Sequence, residues 1–217
     1  PAFAIGAPIA IEHSVVNVAQ IVIVGIVAPL GTVAVAANSL AVTAESLCYM
    51  PGYGIGSAAT TLVGQSVGAK DWGAVRAFAD MATLLGVGIM SVTALGMYML
   101  APFLFETMTN DLQVRALGVQ VLRIEAFAEP FFAASIVIAG ALRGAKDTLM
   151  PSLYNLASMW GVRIVLSIVL APVYGLPGVW FAMAFELGVR GCLFVYRLRS
   201  RKWLKIPETG AERSVFV

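Results

Sequence analysis

The chain has 217 residues, of which 59% are hydrophobic and 12% charged, with a formal net charge of +2 and a mean hydropathy of +0.88. A soluble domain carries about 25% charged residues and needs polar cover for its surface. The composition therefore excludes an ordinary soluble fold, and the expectation is an all-α integral membrane protein with no charge footprint for nucleic acid.

The chain opens on Pro1 rather than Met, has no signal-peptide pattern and leads straight into apolar residues. It is expected to be a piece of a longer protein. A spanning helix needs about 20 mostly apolar residues, and six runs qualify. Their lengths and their Ala, Gly and Leu content suit helices better than short alternating barrel strands.

Run one, Ile5–Val27, carries Glu12, His13, Asn17 and Gln20. Glu12 and Gln20 are a little over two turns apart and share a helix face. The series either lines a pore or forms hydrogen bonds between helices. The break at Pro29–Thr32 is uncharged. Run two, Asn38–Val63, has Glu45 near its outer end, within reach of headgroups or water. It also has Tyr49, Met50 and Tyr53 around Pro51, and small residues from Gly52 to Ala59 that allow close helix approach.

Lys70, Asp71 and Arg76 follow, with Trp72 as an expected interfacial anchor. Run three, Val75–Leu100, contains Gly86, Gly88 and Gly96, and ends at a break with Glu106, Asp111 and Arg115. Run four, Leu117–Ala139, holds Arg123, Glu125, Glu129 and Pro130 beside Phe127, Phe131 and Phe132. Pro51 and Pro130 each remove a backbone donor and should kink their helices. Arg143, Lys146 and Asp147 come next.

Run five, Leu149–Ala171, carries Met159, Trp160 and Arg163, and its break at Pro172–Pro177 is uncharged. Run six, Gly178–Tyr196, contains Glu186 and Arg190. It closes on Arg197, Arg199, Arg201, Lys202 and Lys205, with Trp203 as a second expected anchor. Residues 1–205 read as one six-helix lobe and 206–217 as a disordered cytoplasmic tail.

Basic residues thus fall on alternate sides of the six runs. The positive-inside rule puts both chain ends in the cytoplasm of a cell inner or plasma membrane protein. The tetrapeptide Gly-Ala-Lys-Asp occurs at Gly68–Asp71 and at Gly144–Asp147, two runs apart, and so on one side. Both copies read as turns. Cys48 and Cys192 read as small buried hydrophobes, with no disulfide or metal spacing.

Ionisable groups inside a span cost roughly 2.5–3.5 kcal/mol each at the helix centre and face a bundle interior or a watery cavity. Glu125 and Glu129, four apart, stack on one face of an unbroken helix, where one can hold a proton or both can attract a cation. Alternatively Glu125 pairs with an arginine and only Glu129 faces a cavity. Glu186 and Arg190 stand in the favourable order for an intrahelical ion pair. Arg163 either pairs with Glu125 or Glu129 or snorkels. Aromatic and Met side chains beside these carboxylates would suit a greasy organic cation. Candidate pathway residues are Glu12, Asn17, Gln20, Tyr49, Tyr53, Glu125, Glu129, Trp160 and Arg163.

Leu62-Val63-Gly64-Gln65 with Gly68-Ala69 resembles the end of the eighth helix of multidrug and toxic compound extrusion (MATE) transporters. Gly140 through Thr148 resembles the loop after their tenth helix, where the family usually has a second Gly in place of Lys146. Ser158-Met159-Trp160-Gly161-Val162-Arg163 resembles their eleventh helix, and Arg199–Trp203 the basic close after the twelfth. Each motif is short, but their order and spacing run from Pro1 to Lys205.

The resemblance implies the C-terminal lobe, helices seven to twelve, of a twelve-helix secondary antiporter that lacks here its N-terminal lobe. Such proteins export cationic amphipathic drugs or metabolites in exchange for H⁺ or Na⁺ by alternating access, without a cofactor. Their partners are small cationic organic substrates and membrane lipids. Some members of the NorM-like branch carry a cation-binding Glu and Asp at positions that fall on Val16 and Phe132. The pattern is therefore closer to the DinF-like branch, whose key carboxylate lies in the first helix, outside this chain. Two alternatives are a flippase for lipid-linked saccharides and a non-catalytic membrane assembly subunit. An enzyme is not expected, since the chain shows no nucleophile constellation, metal-ligand pair or Walker loop.

Overall fold

A computed structural model describes the backbone of residues 2–201, 203 and 204, and the side chains from Ser14 onward apart from Lys202. The side chains of Glu12 and His13, and the segment 206–217 expected to be a tail, lie outside the described residues. The elements are α1 (Ala2–Val27), a 3₁₀ turn (Ala28–Leu30), α2 (Thr32–Gly68), α3 (Trp72–Met108), α4 (Leu112–Ala126), α5 (Glu129–Gly144), α6 (Leu149–Ser158), a π-helical turn (Met159–Ile164), α7 (Val165–Tyr174) and α8 (Leu176–Ser200). No strand occurs among the described residues.

The six apolar runs appear as six helical segments, with three differences of detail. The second and third helices are longer than their apolar runs, at 37 residues each. That is about 55 Å, well beyond a hydrocarbon core of about 30 Å. The fourth run is two helices rather than one. Pro130 cannot donate to the carbonyl of Ala126 and its ring crowds that carbonyl, so α4 stops there. Phe127 and Ala128 keep αR torsions, and the chain resumes its course in α5. By contrast α2 runs helically through Pro51. The fifth run is continuous from Leu149 to Tyr174 but widens to a π-helix in its middle.

Among the described residues, four helical stretches are long and apolar enough to span a membrane: Thr32–Gly68, Trp72–Met108, Leu149–Tyr174 and Leu176–Ser200. α1 packs chiefly on α2, α6, the π-turn and α7, while α5 sits centrally against α2, α3 and α8. The α2–α5 seam is made of backbone. Gly56, Thr60 and Gly64 on α2 face Gly140 and Gly144 on α5, a small-xxx-small row against a GxxxG pair. A Cβ on Gly140 would collide with the Gly56 carbonyl, and Thr60 Oγ1 donates to the Gly140 carbonyl at 2.9 Å.

Each tight turn has its own chemistry. The uncharged breaks use Gly31 (φ 102) and Gly175 (φ 62), next to Pro29 and Pro177. The two Gly-Ala-Lys-Asp copies form the same Schellman-type cap. Lys70 and Lys146 take φ 58 and φ 65. Asp71 and Asp147 each donate their amide back five residues, to Ser66 and Leu142. Asp71 then caps α3 by accepting from the Ala74 amide at 2.9 Å. Asp147 instead binds Arg197 on α8 at 2.7 Å, tying this loop to the end of the last helix.

A left-handed torsion on a residue with a Cβ costs about 1–2 kcal/mol, and glycine avoids it. Lys146→Gly is therefore expected to stabilise the protein by about 1 kcal/mol. The measurement is thermal unfolding of purified protein, with Ala145→Gly, at a φ of −81, as a control that should not stabilise.

The expectation that Trp203 is an interfacial anchor is corrected. The ring is 2% exposed, packs in the apolar core and donates to the Leu198 carbonyl at 3.0 Å. Cys192, expected to be buried, is exposed on the outer side of α8, while Cys48 is buried as expected.

Candidate functional site

Two apolar clusters divide the lobe. One contains Val63, Val75, Ala79, Leu142, Phe194 and Trp203, at the end of the Gly-Ala-Lys-Asp loops. The other contains Val27, Ala34, Phe105, Val114, Leu176 and Trp180, at the opposite end. Between them, near the middle of the helices, lies a layer of charge. It holds Glu45 from α2, Glu125 from the end of α4, Glu129 from the start of α5, Arg163 from the π-turn, and Glu186 and Arg190 from α8.

The sequence places Glu45 near the outer end of its helix. The structure corrects this, because α2 begins earlier than the apolar run and leaves Glu45 only 8% exposed. Glu125, Glu129 and Glu186 are fully buried. Glu125 and Glu129 do not stack on one unbroken helix as expected, since the break at Phe127–Ala128 separates them, yet both point inward.

Glu186 and Arg190 form a two-pronged ion pair, with Nε to Oε1 at 3.0 Å and Nη2 to Oε2 at 3.1 Å. The Arg190 guanidinium lies over the Phe132 ring at 5.6 Å. Among the described residues the oxygens of Glu125 have no hydrogen-bond partner, and those of Glu129 have none of normal geometry, with only the Cys48 thiol close by. Glu129 lies beside Cys48, whose thiol donates to Thr93 Oγ1 at 3.2 Å. Arg163 is within electrostatic range of Glu45, Glu125 and Glu186. It forms no ion pair with any of them and points a guanidinium N–H at the sulfur of Met183. The pairing of Arg163 with Glu125 or Glu129 is thus not found. The layer holds four carboxyl groups and two guanidinium groups, and one pair already neutralises itself. The remaining carboxyl groups outnumber the remaining cation, so the layer can take up positive charge.

An aromatic row leads to it from the surface. Tyr53, 53% exposed, meets Tyr49 edge-on at 5.6 Å, and Tyr49 meets Phe132 at 5.7 Å. Trp160 is on the exposed side of the π-turn, and Asn17 and Gln20 are exposed on α1. The structure therefore brings Tyr49, Glu125, Glu129 and Arg163 together and leaves Asn17, Gln20 and Trp160 at the lobe surface. Glu45 is the residue the sequence reading missed. Its spacing before Cys48 and Tyr49 offered a helical-face signal, but burial needed the neighbouring helices. Val16 packs on the apolar cluster that contains Val27 and Trp180. Among the described residues no group of three or more acidic, His or Cys side chains has metal-site geometry.

A bundle of spanning helices with buried charge at mid-depth is an integral membrane protein, and its fold is that of a transporter lobe. It superposes on an outward-facing multidrug resistance MATE family transporter of the MOP superfamily with a TM-score of 0.84 and 22% identity, over 93% of this chain and 46% of the other. It also superposes on the Vibrio cholerae MATE transporter VcmN in its bent form, with a TM-score of 0.84 and 18% identity over 94% and 48%.

The chain belongs to the MatE family, which matches residues 8–169. The probable multidrug resistance protein NorM of Brucella suis is 34% identical over 177 residues. That alignment covers 78% of this chain and 38% of the relative, so the chain spans well under half of the curated protein. The names of the curated relatives do not single out the DinF-like branch.

Proposed function

We propose that this chain is the C-terminal lobe of a secondary efflux antiporter that exports cationic amphipathic compounds in exchange for H⁺ or Na⁺. The observation that carries the reading is the mid-depth layer, where Glu45, Glu125 and Glu129 share the buried interior with the Arg163 guanidinium, which makes no ion pair among the described residues. Ionised carboxylates there are costly, so a proton, a metal cation or an organic cation is held wherever access opens. Tyr49 and Tyr53 supply aromatic faces for an organic cation on the way in. Excess carboxylate weighs against a flippase for lipid-linked saccharides, whose phosphates call for a cationic cavity.

In this reading a second six-helix lobe faces α1, α2 and the π-turn, and the two alternate between inward and outward openings. The break at Phe127–Ala128 and the π-turn lie beside the charged layer, where helix geometry can change with little loss of hydrogen bonding. The loops and helix ends carrying Lys70, Arg76, Arg143, Lys146 and Arg197 face the cytoplasm by the positive-inside rule.

The test is reconstitution of the full-length protein in vesicles with an imposed pH or Na⁺ gradient. A fluorescent organic cation should accumulate against its concentration gradient and be released when the ion gradient is collapsed. Absence of gradient-driven movement over a broad cation panel would overturn the reading.

A further inference from the structure

A groove of about 500 Å³ opens between α3, α4, α5 and α8. It lies away from α1, whose packing is chiefly with α2, α6, the π-turn and α7. Its walls are aromatic, with Phe131 from α5 and Phe181 and Phe185 from α8, all exposed. Gly188 leaves its floor open, since no atom comes within 4 Å of a Cβ placed there.

One end of the groove is different. Arg123 stands there with its Nε at 3.5 Å from the Tyr98 carbonyl and its guanidinium 5.0 Å from the Tyr98 ring. No carboxylate pairs with it among the described residues. A cation without a counter-ion on a membrane-facing apolar wall is costly unless an anion meets it.

Depth along the helices orients the groove. Gly188 is the midpoint of α8 and Met90 that of α3. Tyr98 lies two turns beyond Met90, about 12 Å towards the end opposite the Gly-Ala-Lys-Asp loops. Half of a hydrocarbon core is about 15 Å. Tyr98 therefore lies near headgroup level. Arg123, only two residues along α4 from the mid-depth Glu125, extends its guanidinium up to the Tyr98 carbonyl, and the aromatic walls run from there down to the bilayer centre. Tyr and Arg are the side chains that suit that level, and Phe the depth below it.

We propose that this groove is a binding site for one anionic phospholipid of the leaflet opposite the Gly-Ala-Lys-Asp loops. Its phosphate is met by Arg123, and one acyl chain lies over Phe181, Phe185 and Phe131 to Gly188. The guanidinium can donate to two phosphate oxygens at once while its stem lies along the Tyr98 ring. The site is independent of what the protein transports, and its occupancy would hold α4 against α8 next to the break at Phe127–Ala128.

The experiment uses the full-length protein in nanodiscs of phosphatidylcholine mixed with phosphatidylglycerol carrying a photoactivatable acyl chain. Label is expected on peptides spanning 123–131 and 181–188. Arg123→Gln should lower the preference for phosphatidylglycerol about fivefold, the contribution of one basic side chain at an anionic membrane surface, and Arg123→Lys should keep most of it. Gly188→Leu, which the open floor accommodates, should displace the acyl chain and reduce labelling with the basic end intact. The proposal is overturned if Arg123→Gln and Gly188→Leu both label as the parent does. It is equally overturned if a cysteine at position 185 cross-links to another part of the protein, showing the groove filled by polypeptide.

Discussion

Glu129→Gln in the full-length protein is expected to reduce gradient-driven cation export by at least about tenfold, equivalent to about 1.4 kcal/mol, without reducing insertion or the melting temperature. The two effects separate because Glu129 is fully buried and, among the described residues, its oxygens make no hydrogen bond of normal geometry beyond the nearby Cys48 thiol. An amide of the same shape exchanges one buried polar group for another and removes the charge that the interior most disfavours, so stability changes little. It also removes the one property of the site that lets it take up and give back a cation. A packing role predicts the reverse, with transport unchanged and stability altered. Transport assayed in vesicles, together with thermal unfolding of the same preparation, distinguishes the two.

The second large effect is expected at Arg190. Arg190→Ala leaves the fully buried Glu186 carboxylate without its only ion-pair partner among the described residues and should destabilise the lobe by about 3–5 kcal/mol. It also uncovers the Phe132 ring. Combining it with Glu186→Gln should recover most of the loss, since a buried pair removed together costs far less than either half removed alone. Unfolding of the two single variants and the double variant in one detergent gives the coupling directly. A double variant as unstable as Arg190→Ala would show that the arginine matters for packing and not for charge.

The Glu186–Arg190 pair was legible in the sequence because it is local. Two residues four apart on one helix meet whatever the rest of the chain does. The same locality made the Gly-Ala-Lys-Asp turns legible as turns. It did not reveal that Asp71 caps its own helix while Asp147 reaches Arg197, fifty residues away. Gly140 and Gly144, before and at the start of the second copy, looked like loop residues, yet they are where α5 touches the backbone of α2. Nothing within α5 distinguishes a glycine needed for a turn from one needed for a neighbour.

Glu45 shows the same division. Hydropathy alone starts its helix at Asn38 and leaves Glu45 near an end, whereas hydrogen bonding carries the helix back to Thr32. Tryptophan beside basic residues suggested an anchor at position 203, but the fold turns that ring inward. Asn17 and Gln20 stayed open for a matching reason. Their surface belongs to whatever packs on α1, which a single helix cannot specify.

What the sequence determined by itself is the medium and the path through it: six helical passes, their order and the side on which basic loops gather. These follow from transfer free energies of short segments, each decided within its own twenty or so residues. What only the tertiary structure decided is which buried charges share one layer. Glu45, Glu125, Glu129 and Arg163 come from four different elements, and their proximity depends on helix rotation. A proline break and a π-turn set part of that rotation, and backbone contact between glycines sets the rest, none of which periodicity alone can supply.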